Sequence, residues 1–242
     1  EVAAALGDNI PFQDAKDIIE QTEGWPVAVQ LAKVQKQAQP LVSLKNMGPS
    51  GLVASYLTDQ VLASVDEDVS NFLLTVSVLE QFNPSLADAV GAASNSLEIL
   101  QKLAPLNALL VPTDVSNNWI RLHHLFAEYL LETLRKTNSD RIVEIQKAAS
   151  NWFEEKGFLI ESVRYASIAG DDTRCERLIL DAGGWKIILT EGIGVMRTLL
   201  RLAPDHVISG SARLLIARAY LCCKEGQYHE ARGLMDASEA LR

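Results

Sequence analysis

Long apolar runs, cysteine and N-terminal positive charge are all scarce in this chain of 242 residues. No stretch approaches the roughly 18 apolar residues that a membrane-spanning helix needs, and Glu1–Leu6 lacks the basic segment of a signal peptide. Three cysteines are a sparse and odd set, which favours reduced thiols over a disulfide framework. We therefore expect a cytoplasmic protein that does not associate with a membrane.

Positive charge is also in short supply along the whole chain. There are 22 Lys and Arg against 31 Asp and Glu, which gives a formal net charge of -9. Residues 52–137 hold 4 of the basic and 10 of the acidic side chains, and so carry most of this negative charge. Because nucleic acid and anionic membranes are themselves negative, the chain alone is a poor candidate for binding either.

Motifs of catalysis and metal binding are missing as well. The sequence has no G-x-x-x-x-G-K-[ST] phosphate loop, no H-E-x-x-H, no paired C-x-x-C and no G-x-S-x-G. Cys222 and Cys223 are predicted to be small buried side chains of a helix. Asp171 and Asp172 are predicted to cap a helix instead of binding a metal. We expect no catalytic residue and no metal site in this chain.

What the sequence does contain is helical periodicity in almost every segment. Turn residues at 46–51 and 137–140 divide the chain into segments 1–50, 51–137 and 138–242. The chain begins without methionine and inside a helical pattern, and it also stops inside one. We interpret it as part of a longer protein.

The middle segment carries the only convincing strands. Residues 107–113 and 119–124 are apolar or alternating, and residues 114–118 between them favour a turn, which predicts a β-hairpin. Helices are predicted around the hairpin at 52–65, 67–78, 84–93, 95–105 and 125–136. Helices followed by a hairpin are typical of a winged helix.

A winged helix that reads DNA needs cations and amides on the helix before its hairpin. Here that helix offers only Lys102 as a cation, against Glu98, in a segment of net charge -6 (4 basic and 10 acidic residues). We therefore expect this winged helix to dock on protein or to sense a nucleotide, and not to read DNA.

The last third of the chain contains a repeat. Gly157, Gly192 and Gly226 each follow an apolar helix, at spacings of 35 and 34 residues. This is the tetratricopeptide (TPR) period, in which glycine turns the chain between paired helices. The last unit fits best, whereas the middle unit has Arg197 where a small residue is expected. We predict TPR-like repeats, with three unrelated helical hairpins as the alternative.

Two short segments between helices are candidate sites. Gly24 fits the C-cap of one helix and Pro26 the first turn of the next, and this arrangement requires no function. His123 and His124 lie where the hairpin ends and a helix begins, and a helix N-terminus attracts phosphate. For the histidine pair, a capped and partly buried structural role is the alternative.

These segments resemble the large ATP-dependent LuxR-type transcriptional regulators, the MalT-like branch of the signal-transduction ATPases called STAND. The resemblance is carried by residues 22–32, 56–79, 121–130 and 148–171. It implies an order of domains: a nucleotide-binding domain with the phosphate loop, a helical lid, a winged helix, a TPR-like superhelix and a C-terminal helix-turn-helix.

The resemblance implies a mainly α chain made of three of these parts. Residues 1–50 correspond to the end of the lid, 51–137 to the winged helix with its small hairpin, and 138–242 to the first TPR-like repeats of the effector-binding superhelix. The phosphate loop and the DNA-reading domain would both lie outside the chain.

The resemblance also implies nucleotide-binding residues. In this class ADP lies between the nucleotide-binding domain and the winged helix. A lid proline contacts the adenine, and this position maps to Pro26, with Gly24 opening the motif. A winged-helix histidine reaches the β-phosphate, and this position maps to His123. His124 stands where related proteins have aspartate, which leaves its role open.

The implied mechanism is a switch in the intact protein. ADP holds it closed, an inducer (a small molecule or a protein) binds the superhelix, and ATP replaces ADP. The protein then self-associates and engages a promoter through its helix-turn-helix. Two alternatives stay open: a TPR-like scaffold that binds a peptide without nucleotide, and an NTPase whose turnover is its output.

Overall fold

The structure, a computed structural model, describes residues 65–103, 109–114 and 118–241. It forms two compact units, which divide between Ser139 and Asp140. The lid segment 1–50 and nearly all of the predicted helix 52–65 lie outside the described residues.

The first unit combines short helices with a two-stranded antiparallel sheet. In chain order its elements are α1 (Glu67–Val76), α2 (Pro84–Ala89), α3 (Ser96–Lys102), β1 (Leu110–Pro112), β2 (Ile120–Leu122) and α4 (His124–Thr137). The strands pair Leu110 with Leu122, Val111 with Arg121, and Pro112 with Ile120. The prediction of a mainly helical chain with a small hairpin is confirmed.

Helix α1 forms because its apolar residues recur at helical spacing. Val69, Phe72 and Val76 all face the core and are buried. Glu67 and Asp68 stand in the first turn, where negative charge is favoured by the helix dipole. The sequence of α1 therefore specifies both where the helix begins and which face packs inwards.

Three phenylalanines form the centre of the first unit. Phe72, Phe82 and Phe126 are each fully buried, and the rings of Phe72 and Phe82 meet edge-on with centroids 5.9 Å apart. Asn83 follows directly, and its side chain accepts a hydrogen bond from Leu86 N at 2.8 Å, which caps α2. Phe82 is therefore fixed in the core immediately before a capped helix.

The second unit consists of helices joined by short turns. In chain order these are α5 (Ser139–Glu155), α6 (Leu159–Ile168), α7 (Asp172–Asp181), a 3₁₀ turn (Gly184–Lys186), α8 (Ile187–Thr190), α9 (Ile193–Leu202), α10 (Asp205–Ser209), α11 (Ala212–Lys224) and α12 (Tyr228–Ala240). Asp171 caps α7 as predicted, because its carboxylate accepts a hydrogen bond from Arg174 N at 3.1 Å. In the described part of the chain, no helix combines the length and the apolarity needed to cross a membrane.

Glycine turns the chain at the three positions that the sequence singled out. Gly157, Gly192 and Gly226 have φ angles of +79°, +91° and +80°, which residues with a Cβ rarely adopt. After Gly157, Phe158 N donates a hydrogen bond to Phe153 O at 2.8 Å and closes the end of α5. The turns between α5 and α6 and between α11 and α12 therefore each depend on a glycine.

The middle of the second unit departs from a regular repeat. Gly192 separates the four-residue α8 from the ten-residue α9, so it does not join two long helices. The side chain of Arg197 is 60% exposed, and its guanidinium donates to a carboxylate oxygen of Glu225 at 2.6 Å. A large side chain is tolerated at this position because it points into solvent.

Helices α5 and α6 approach closely at a pair of buried serines. Ser150 Oγ donates to the carbonyl oxygen of Ser162 at 2.8 Å, and Ser162 Oγ donates to the carbonyl oxygen of Ser150 at 2.9 Å. Arg174 Nε donates to Ser150 Oγ at 2.8 Å and so joins α7 to the same point. Both hydroxyls are thereby satisfied away from water, where an unmade hydrogen bond would be costly.

The described cysteines are free thiols. Cys175 and Cys222 are buried and Cys223 is exposed. Burial, the largest cause, raises the pKa of the Cys175 thiol to about 11. The prediction that Cys222 and Cys223 are both buried is wrong for Cys223, because successive helical residues point about 100° apart.

A charge network joins α5 to α7 near the serine pair. Glu154 accepts hydrogen bonds from the guanidinium groups of Arg174 and Arg177, and Arg177 also donates to Asp181 at 3.2 Å. The hydrogen bond from Arg177, the largest cause, lowers the pKa of the Glu154 carboxyl below its ordinary value. The ionised form of Glu154 therefore stabilises the folded unit.

Alanine at Gly226 should destabilise the chain, and alanine at Gly233 should stabilise it. A Cβ meets no atom within 4 Å at either position, so each effect comes from the backbone alone. Gly226→Ala forces a positive φ and should lower the free energy of unfolding by about 1 kcal/mol. Gly233 lies exposed inside α12, where alanine should add roughly 0.5–1 kcal/mol. Urea unfolding measures both; shifts of the same sign would contradict the assigned turn.

Glu154→Gln should lower stability at neutral pH and flatten its pH dependence. The folded-state pKa of Glu154 is lowered, so its contribution is present above the unfolded-state pKa and is lost as pH falls through the folded-state pKa. We expect a loss of about 1–2 kcal/mol at pH 7, a range that already allows for screening of these partly exposed groups by solvent. At acid pH the free energies of unfolding of the variant and the unmutated chain should converge. Glu155→Gln, at the exposed neighbouring position, is the matched control and should change little. Equal losses for both variants at pH 7 would contradict the network.

Candidate functional site

The edge of the small sheet is completed by a residue outside the two strands. Phe82 N donates to Ile120 O and Ile120 N donates to Phe82 O, both at 2.8 Å. Both backbone hydrogen-bonding groups of Ile120 are therefore paired with Phe82. Its partner across the hairpin, Pro112, has no N–H and stands at a position of the ladder that requires none.

The far end of the hairpin is closed by local hydrogen bonds. Thr113 N donates to Trp119 O at 2.9 Å, and Trp119 N donates to the Asp114 carboxylate at 3.0 Å. Residues 115–117 of the turn lie outside the described residues. The hydrogen bond to the Asp114 carboxylate holds Trp119, the residue before β2, at the end of the turn.

His123 is the junction between the sheet and α4. Its N–H donates to Leu109 O at 2.8 Å, which extends the ladder beyond β2, and its carbonyl oxygen accepts from Ala127 N at 2.9 Å, which begins α4. The residue is 4% exposed and adopts an extended conformation with φ -56° and ψ 133°. One backbone position thus ends a strand, begins a helix and carries a buried imidazole.

The two sequence-predicted histidines lie side by side. The rings of His123 and His124 stack with centroids 4.9 Å apart and planes 29° from parallel. The first turn of α4 contains no acidic residue, since His124 is followed by Leu125, Phe126 and Ala127. A helix N-terminus carries partial positive charge, so this junction favours an anion.

This arrangement has the chemistry that a nucleotide phosphate requires. Imidazole N–H groups donate hydrogen bonds to phosphate oxygens, and no carboxylate of the first helical turn opposes the negative charge. Gly24 and Pro26, the other predicted nucleotide-binding residues, lie outside the described residues. The structure therefore brings together two of the four predicted residues.

The face of α3 differs from that of a DNA-reading helix. Its one cation, Lys102, donates from Nζ to the Asp68 carboxylate of α1 at 2.8 Å. This hydrogen bond, the largest cause in each case, raises the pKa of Lys102 and lowers that of Asp68. Leu97 on the same helix is 57% exposed. A phosphate would have to compete with Asp68 for Lys102, next to an apolar side chain.

Sequence reasoning missed two contacts that shape this unit. The Phe82–Ile120 bridge involves a single residue on one side, so it leaves no alternating run to recognise. The Lys102–Asp68 pair joins residues 34 positions apart, and neither belongs to a motif. Among the residues that the structure describes, no group of three or more His, Cys, Asp or Glu could hold a metal ion.

Comparison with known proteins gives the first unit a family. Residues 58–142 match the family model of the MalT winged helix domain. The match begins before the described part of the first unit and extends just past the start of α5. The matched range includes the hairpin and the histidine junction.

Individual relatives match nearly the whole chain. The chain is 29% identical over 229 residues to the serine/threonine-protein kinase PknK of Mycobacterium tuberculosis, which covers 91% of this chain and 20% of the kinase. It is 25% identical over 236 residues to the HTH-type transcriptional regulator MalT of Vibrio cholerae, covering 95% of this chain and 26% of that regulator. The MalT of Klebsiella pneumoniae is 26% identical over 243 residues, with coverages of 97% and 26%.

The chain thus spans about a fifth to a quarter of the length of the curated relatives it matches. The family match and the regulator matches coincide on the same hairpin and the same histidine-bearing helix. Residues 58–142 therefore resemble the MalT winged helix domain, and nearly the whole chain is similar to a segment of the MalT regulators.

Proposed function

We propose that this chain is the central regulatory segment of an ATP-dependent transcriptional activator. In this proposal it couples the exchange of ADP for ATP, and the binding of an inducer, to self-association and promoter binding. The nucleotide-binding domain and the DNA-reading domain lie outside the chain. The segment itself catalyses nothing, and the intact protein is a slow signalling ATPase.

The observation that carries this proposal is the position of His123. The imidazole is buried at a junction whose backbone is hydrogen-bonded on both sides, to Leu109 and to Ala127. A group fixed in this way responds to a bound phosphate by holding or releasing the whole winged helix, because its backbone cannot move independently. His124 stacks on it and limits the orientation of the ring.

The relatives support a control function for this segment. The same residues match a protein named as a kinase and proteins named as transcriptional regulators. Proteins with such different outputs share what this chain contains, so we assign the output to other parts of the intact protein. What they would share is a switch element.

The second unit supports the inducer-binding part of the proposal. We interpret α5–α6 and α11–α12 as TPR-like hairpins, since each turns at a glycine with positive φ. The short α8 and the added helices α7 and α10 make the middle of the unit irregular. In this proposal the unit begins an effector-binding superhelix, as stacked hairpins create extended binding surfaces.

A protein-interaction scaffold without a nucleotide switch is the second candidate. The exposed Leu97 on α3 favours it, because an apolar side chain at a helix surface suits protein docking. Copurified nucleotide distinguishes the two functions: the switch requires ADP in the intact inactive protein, and the scaffold requires none.

His123→Ala in the intact protein should weaken ADP retention and give activity without inducer. Losing one hydrogen bond to a charged phosphate should speed ADP release about tenfold. Release of fluorescent ADP and transcription from the regulated promoter are the two measurements. His123→Gln, which keeps most of the volume and a donor, should lie between the alanine variant and the unmutated protein.

His229→Ala is the matched control, since His229 is exposed in α12 and should leave both readouts unchanged. A thermal unfolding scan separates a folding defect from a nucleotide effect. An unchanged ADP release rate together with unchanged inducer dependence in a folded His123→Ala protein would contradict the proposal.

The 242-residue chain should not bind double-stranded DNA. Its net charge is -9 and Lys102 is held by Asp68, so releasing counterions from DNA gains little. Fluorescence anisotropy of a labelled duplex at low salt should stay flat as the chain is added. Asp68→Asn, which frees Lys102, is the matched variant and should also leave the signal flat. Binding that weakens steeply with salt would show that this winged helix reads DNA after all.

A further inference from the structure

A concave site lies in the second unit, between the 3₁₀ turn and α11. Its volume is about 520 Å³, within the range of small-molecule sites. The described residues that line it include Gly184, Trp185 and Lys186 from the turn, and Arg213 and Ile216 from α11.

The walls of this site are held by packing that does not depend on a ligand. The rings of Trp185 and Tyr220 meet edge-on with centroids 5.3 Å apart, which fixes the turn against α11. Gly183 precedes the turn and Gly184 begins it, with φ angles of +121° and +57°. Both positions lack a side chain, in a backbone conformation that residues other than glycine rarely adopt, so no side chain from them fills this part of the site.

The charge of the site is opposite to that of the chain. Its described lining contains two cations, Lys186 and Arg213, and no carboxylate. Within the residues that the structure describes, neither cation lies within ion-pair distance of an acidic side chain. Arg174, Arg177, Arg197 and Arg218 of this unit pair with carboxylates, whereas Arg201 and Arg232 resemble Arg213 in having no such partner among the described residues.

The cations recur along one face of α11. Arg213, Ile216, Tyr220 and Lys224 follow one another at helical spacing, and Lys224 Nζ lies 5.2 Å from the centroid of the Tyr220 ring. An exposed lysine or arginine alone is usually a solvated surface group. Here Arg213 and Lys186 border a concavity that also presents the indole of Trp185, which is 38% exposed.

We propose that this site binds a small anion, a carboxylate or a phosphate, that also carries an aromatic or other flat apolar group. Arg213 would bind the anion, because its guanidinium matches carboxylate and phosphate oxygens in pairs. Lys186 adds a second positive charge. The indole of Trp185 and the side chain of Ile216 contact the apolar part of the ligand.

This proposal rests on the proposed function in one respect, namely that the second unit receives the inducer. Binding at the site is measured directly on the chain and does not involve nucleotide. A failure here therefore leaves the His123 switch standing, and a failure of the ADP measurements leaves this site standing.

The experiment is a titration of the 242-residue chain with phenyl phosphate, followed by the NMR signal of the Trp185 indole N–H. Trp185→Phe assigns that signal. We expect a saturable shift, and about tenfold weaker binding in Arg213→Gln, since one charge-assisted contact is worth about that factor. Lys186→Gln should weaken binding less. Arg232→Gln removes an exposed cation of α12 outside the site and should bind as the unmutated chain does.

Two further ligands separate the parts of the proposal. Phenol, which has the ring without the anion, and inorganic phosphate at matched ionic strength should both bind more weakly than phenyl phosphate. A shift that does not saturate, equal affinity for phenol, or equal weakening in Arg213→Gln and Arg232→Gln would each overturn the site. Inorganic phosphate binding as tightly as phenyl phosphate would overturn the apolar half of the ligand assignment.

Discussion

Ile120 exchanges both of its backbone hydrogen bonds with Phe82, and the position of the histidine junction depends on that exchange. Phe82 is fully buried against Phe72 and immediately precedes a capped helix, so it cannot slide. Through Ile120 this fixed point sets the register of β2, and a shift by one residue would turn every side chain of the strand over. His123 follows at the end of that strand. The candidate site is therefore anchored by the hydrophobic core of its own unit.

The second unit is held together in a different way. Its helices meet through glycine turns, through the Ser150–Ser162 pair and through arginine–carboxylate pairs such as those of Glu154. These contacts join each helix to its near neighbours in sequence, which is the pattern of stacked helical units. Lys186 and Arg213 are two cations of this unit that have no acidic partner among the described residues, and both line the cavity beside Trp185.

Local patterns were sufficient to predict much of this fold. The hairpin followed from alternating residues around a polar turn, and the three glycine positions followed from their even spacing. The Phe82–Ile120 bridge, in contrast, could not be predicted from the sequence, because a single residue pair produces no periodic pattern of side chains. The irregular middle of the second unit was missed for a related reason: Gly192 keeps the repeat spacing although the helix before it shrinks to four residues. For the site, the sequence placed His123 and His124 together at a helix start, but their stacking depends on ring orientations that no spacing encodes.

The buried serines have a consequence for how related sequences can diverge. Each hydroxyl of the Ser150–Ser162 pair serves the backbone of the other helix, and Ser150 also accepts from Arg174. Replacing one serine removes the second hydrogen bond of a buried helical carbonyl in the other helix, and a larger side chain would separate α5 from α6. These three positions should therefore vary as a group over evolution: small residues with hydroxyls should occur together at 150 and 162, and a change at either should accompany a change at 174.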